Sequence, residues 1–88
     1  MMPKVFSQAG FRFHFYSREG NPREPVHVHV AKPDADAKFW LRPDVVLAKN
    51  DGLSPRELRL VAKIVKEHRQ EIEDAWNRHF AAGQNDQV

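Results

Sequence analysis

The 88-residue sequence has no cysteine. That excludes disulfides, thiolate metal ligands and a cysteine nucleophile. It also has no apolar run of the ~18–20 residues that cross a bilayer as a helix, and no charged-then-apolar leader of the secretory kind. These absences lead to the expectation of a cytoplasmic protein with no membrane partner. There are only four glycines, and they form no glycine-rich loop of the kind that cradles phosphates. No RNP-type motif is present, and no large charge excess marks a nucleic-acid binder. Net charge is +2, a balance that permits a nucleic-acid partner without demanding one. The surplus is uneven: residues 1–50 carry eight Lys/Arg against five acids, and residues 51–88 carry six against seven.

What is present suits one small soluble domain. Apolar residues make up 41% and charged residues 30%, a globular rather than a disordered composition. The length allows one core. We expect a single α+β domain over residues 1–83 and a polar, flexible tail at 84–88. The strongest local signal is the entry to a C-terminal helix running from Ser54 to about Phe80. Ser54 and Glu57 form a capping box, Pro55 takes the first helical position, and Leu53 and Leu58 bracket the box as a hydrophobic staple. Apolar residues then recur at helical spacing: Leu58, Val61, Ile64, Val65, Ile72, Trp76 and Phe80. Gly83 is the expected stop. His68 falls on the apolar stripe as a packing residue, His79 lies near the helix end, and Arg69/Glu73 and Asp74/Arg78 are spaced as surface pairs.

Upstream of the helix the period changes to two. Phe11 to Tyr16 alternates strictly, with Phe11, Phe13 and Phe15 on one face and Arg12, His14 and Tyr16 on the other. Val26 to Val30 does the same, with the valines opposite His27 and His29. Ala37 to Arg42 sets Ala37, Phe39 and Leu41 against Lys38, Trp40 and Arg42. Val5–Ser7 and Val45–Leu47 read as short flanking strands, and Pro- and Gly-containing turns separate the pieces. The expected fold is therefore a small antiparallel sheet of three to five strands, its apolar face packed on one long C-terminal helix.

The face left over collects Arg12, His14, Tyr16, His27, His29, Lys38, Trp40 and Arg42, and three readings follow. Tyr, Trp and Arg are the types that anchor interfaces, so the face could meet a small protein partner or a second copy of the chain. Aromatics beside cations could stack bases and hold phosphates of a nucleic acid. His27 and His29, two apart on one strand, could ligate a divalent transition metal with His14 as a third ligand, or do acid–base work on a phosphodiester. A plain solvated sheet face with histidines packed on Trp40 or Tyr16 is the alternative to all three. No acidic residue is clearly placed to complete a metal site, and no catalytic constellation is legible, so no catalytic residue is assigned and no cofactor is required.

Several segments together resemble the bacterial family DUF4160: Gly10-Phe11 through Phe15-Tyr16, Pro25-Val26-His27-Val28-His29-Val30, Ala37-Lys38-Phe39-Trp40-Leu41, the Asn50-x-Gly52-Leu53-Ser54 helix entry, and a helix carrying Trp76 and Phe80. The resemblance extends from about Pro3 to Ala82, and its most diagnostic part is the proline followed by His-x-His-Val. Many members have an Asp-His-x-Pro-Pro lead-in to that element. Here Gly20-Asn21-Pro22-Arg23-Glu24-Pro25 stands instead, without the Asp-His pair. The resemblance implies a small stand-alone bacterial or phage protein, encoded in many cases beside a member of a second small family, DUF2442, in a toxin–antitoxin-like layout. It thereby implies a binding component of a two-protein module, with protein contacts and a nucleic-acid target, and His27 and His29 as functional positions. The alternative is a metal- or histidine-dependent nuclease using the His-x-His strand.

Overall fold

The computed structural model describes residues 4–16 and 24–85, with side chains as far as residue 80. Five strands, β1 (Lys4–Gln8), β2 (Phe11–His14), β3 (His27–Lys32), β4 (Ala35–Trp40) and β5 (Val46–Asp51), precede two helices, α1 (Pro55–Glu67) and α2 (Arg69–Asn85). The strands lie in chain order in a single sheet, each antiparallel to the next. The α+β expectation holds, at the upper end of the expected strand count. β5 runs further than Val45–Leu47 because Asn50 and Asp51 still pair with β4. The β1–β2 hairpin closes on Ala9 and Gly10, both at positive φ (56° and 83°), the primed-turn geometry that matches strand twist.

The alternation read from the sequence sets the core. Phe11, Phe13, Phe15, Val28, Val30, Ala37, Phe39 and Leu41 from one sheet face join Leu53, Val61, Ile64, Val65, Ile72, Trp76 and Phe80 in one buried cluster. The helix entry is built as expected. Glu57 N–H donates to Ser54 Oγ (3.1 Å) and Ser54 N–H donates to Glu57 Oε1 (2.9 Å). The preceding turn is held by Asn50, whose side chain both accepts from Leu53 N–H and donates to Leu53 C=O, each at 3.0 Å. Gly52 between them has φ of +98°.

The expectation of one long helix needs correction: there are two. The break is at His68 (φ −105°, ψ 16°), which leaves helical geometry while its N–H still bonds Ile64 C=O. No proline or glycine marks it. The His68 ring instead packs on Phe6 of β1 (4.6 Å between centroids), and its Nδ1 lies 2.8 Å from Glu71 Oε1. Tertiary packing thus bends the chain so that α2 crosses the end of the sheet, where Trp76 packs edge-on against Phe15 (5.2 Å) and Phe80 follows (6.2 Å). α2 continues through Gly83 to Asn85, so the expected stop is not where the helix ends. The expected surface pair Arg69/Glu73 is part of a larger joint. Glu73 is only 7% exposed. It accepts from Arg42 Nη2 (2.6 Å) and from Arg69 Nε (3.2 Å), while Arg69 Nη2 also donates to Pro43 C=O (2.8 Å). The turn after β4 is tied to α2 by these bonds.

Candidate functional site

Both helices pack on one face of the sheet, so the chemistry collects on the other. Strand register arranges that outer face in cross-strand rows. One row runs Lys4–His14–His29–Lys38–Lys49, each residue the direct partner of the next, across all five strands. On one side of it lies Ser7–Arg12–Ala31–Asp36–Asp51, again in continuous register. On the other side His27 pairs with Trp40 and Trp40 with Val46, with Tyr16 two residues beyond His14.

The rings of the central rows form one connected patch. Tyr16 meets His29 at 4.5 Å and His14 at 5.2 Å between centroids, and His14 stacks on His29 at 5.6 Å. His27 is edge-on to His29 (5.1 Å) and to Trp40 (5.4 Å), and on its other side touches Trp76 of α2 at 5.0 Å. Lys38 holds its ammonium 4.4 Å from the centre of a Trp40 ring, a cation–π contact, with Glu24 Oε1 at 3.6 Å. His14 and His27 are buried, whereas Tyr16, His29, Lys38 and Trp40 are half-buried. Ligand-accessible chemistry therefore centres on Tyr16, His29, Lys38 and Trp40. An open cavity of about 680 Å³ adjoins this patch, bordered by Arg12, His14, Tyr16, Asp36 and Asp51.

Burial separates the two histidines that the sequence pairs. His27 is wholly inaccessible, because α2 brings Trp76 round the sheet end to cover it. Its Nδ1 lies 2.9 Å from Pro25 C=O. A carbonyl only accepts, so Nδ1 carries the proton and the ring is locked in orientation. His27 is thus built into the fold, and His29 is the more open member of the pair. Among the described residues no group of three or more His, Cys, Asp or Glu side chains is arranged to hold a metal ion. Arg12 is exposed at the edge of the patch. Arg42 is drawn off to Glu73, and its part is to join sheet and helix.

Two cations of the face escaped the pattern reading, Lys4 and Lys49. In a regular ladder continued from Phe6↔Phe13, Val5 would stand opposite His14. The register shifts between Lys4 and Phe6, and Lys4 takes that place. Likewise, from Phe39↔Leu47 a regular ladder would set Ala48 against Lys38, but a second shift puts Lys49 there. Each edge strand carries a one-residue bulge, and each bulge turns a lysine from the helix side of the sheet to the outer face. Bulges re-aim side chains in this way, and strict alternation cannot reveal them.

A family model described as Domain of unknown function (DUF4160) matches residues 10–77. The chain belongs to this family. The DUF4160 match takes in β2 to β5, α1 and the first half of α2, so the ring patch lies inside it, while β1 and Lys4 precede it. No curated protein and no solved structure matches the chain. No helix among the described residues is long and apolar enough to cross a membrane.

Proposed function

We propose that this DUF4160 chain is the binding component of a two-protein, toxin–antitoxin-like module, and that it works through the outer face of its sheet. The observation that carries this is the contiguity of Tyr16, His29, Lys38 and Trp40: two aromatics, an imidazole and a cation, half-buried, on the face opposite both helices. Tryptophan and tyrosine in a partly desolvated patch are the types that anchor protein interfaces. The resemblance supplies the class of partner, a small protein of the DUF2442 type encoded alongside. The same face could meet a second copy of the chain, a reading that the exposed Val46 beside Trp40 on edge strand β5 would serve (52% exposed).

Co-expression with a DUF2442 protein of the kind encoded beside many family members, followed by size-exclusion chromatography, tests the reading. A one-to-one complex is expected from the native chain, and Trp40→Ala with Lys38→Glu should weaken it at least tenfold, as loss of one anchor costing ~2 kcal/mol does. Circular dichroism would establish that the variant is folded. A complex of undiminished affinity would overturn the assignment of this face, and a homodimer alone would replace the partner with a second copy. Cleavage of RNA or DNA by the native chain, abolished by chelator or by His29→Ala, would favour the nuclease alternative.

A further inference from the structure

We propose that the row marked by Lys4, His29, Lys38 and Lys49 is a track for the sugar–phosphate backbone of a single-stranded nucleic acid, with Trp40 and Tyr16 beside it as stacking surfaces for the bases. The inference rests on the outer face being the binding face and adds to it a second class of ligand, beside the protein partner proposed above.

Three observations carry it. First, the row is continuous in register across the whole sheet: Lys4, His29, Lys38 and Lys49 reach its surface, and the buried His14 lies beneath it between Lys4 and His29. Like charges directly opposite one another destabilise a sheet, and Lys38 faces Lys49 in this way. Glu24 at 3.6 Å from Lys38 and Asp51 at 3.7 Å from Lys49 offset part of that repulsion, and an anion lying along the row would offset the rest. Second, the end lysines are on this face only because of the two bulges, one in each edge strand, at either end of the same row. Third, the row borders aromatics. Trp40 shares its strand and face with Lys38, two residues away, and Tyr16 touches His29. Cations tracking a backbone beside rings that stack bases is the arrangement by which proteins hold single strands without reading sequence.

The stacking surface selects the single strand. Stacking on Trp40 needs an unpaired base, which a duplex does not present. Four inter-strand steps of about 4.8 Å make a row of roughly 19 Å. It suits the low end of the ~4–16 nucleotides that a single-strand-binding fold covers. Asp36 and Asp51 lie in the adjoining row on the side away from Trp40, and Asp51 reaches Lys49 at 3.7 Å. They bound the track on that side and direct the bases toward the aromatic row. Glu24 near Lys38 is the remaining acid against it.

Fluorescence anisotropy with an end-labelled 12-nucleotide oligo(U), titrated with the 88-residue chain over a range of salt, tests the inference. With three lysines engaged, log K against log salt should fall with a slope of about −2. Lys4→Glu and Lys49→Glu should each weaken binding and flatten the slope by about 0.7. Trp40→Ala should weaken it about five- to hundredfold and leave the slope unchanged, the signature of stacking rather than charge. Lys63→Glu, exposed on α1, should change nothing. The inference is overturned if the native chain does not bind at low salt, or if Lys63→Glu weakens binding as much as Lys49→Glu. Should the oligonucleotide fail to bind while Trp40→Ala still disrupts the protein complex, the nucleic-acid inference falls and the binding face stands. Should both fail, the face itself is wrongly assigned.

Discussion

Single residues show where chemistry and scaffold part company. His27 and His29 look equivalent in the sequence, two apart on one strand. Burial and a bond to Pro25 C=O make His27 part of the scaffold, and substitutions there would confound folding with binding. His29 is the residue whose replacement can be read functionally. Gly52 is fixed by geometry: its φ of +98° suits glycine, and an added Cβ would stand 3.2 Å from Ala35 Cβ. Gly52→Ala is expected to lower unfolding free energy by about 1–3 kcal/mol, measured by urea denaturation. Because Asn50 holds Leu53 across this glycine, the loss should appear as disorder at the start of α1. An unchanged denaturation midpoint would mean that the turn relaxes without cost.

At the scale of elements, the start of α1 is a joint as well as a cap. Glu57 closes the capping box with one carboxylate oxygen and accepts from Lys32 Nζ at 2.6 Å with the other, tying the end of β3 to the helix. The Lys32 bond, with the Ser54 amide behind it, holds the Glu57 carboxyl below its ordinary pKa. The bond to Glu57 raises Lys32 above its own. A lowered carboxyl contributes stability that is present above the ordinary glutamate pKa and is lost as pH falls through the lowered value. A raised lysine contributes below the ordinary lysine pKa, and that part is lost as pH rises through the raised value. Thermal melts from neutral pH downward should therefore show a loss of stability below the ordinary glutamate range that Glu57→Gln removes. An identical acid limb in the variant would show that other carboxyls govern it.

The same elements show what could be read beforehand. Ser54, Pro55 and Glu57 announce α1 because a capping box is local chemistry. The Phe11/Phe13/Phe15 and Val26/Val28/Val30 alternations place the core because a strand's faces are set by parity. The helix break at His68 carries no local signal; it comes from the ring's packing on Phe6, a contact about sixty residues distant along the chain. The two bulges are equally silent, so parity does not reveal Lys4 and Lys49 on the outer face, and parity alone puts Arg42 there although Glu73 claims it.

Across the whole molecule there is a division of labour between two sheet faces. One carries phenylalanine, valine and leucine under α1 and α2 and supplies the core. The other carries a basic row in register across every strand, with the aromatics Tyr16 and Trp40 beside it. A meander of adjacent hairpins makes this economical, since each strand adds one residue to each row. The His27 ring touches both Trp40 and Trp76, and so links the outer face to the helix side at the sheet end.

That division makes one measurement decisive: a ¹H–¹⁵N NMR titration of the labelled 88-residue chain with a DUF2442 protein, the partner class proposed above. Shifts are predicted at the Trp40 indole and at the amides of His29, Lys38 and Lys49, with the exposed side of α1 from Arg59 to Glu67 unmoved. Binding that shifts α1 and leaves Trp40 and His29 in place would contradict the assignment of the outer face.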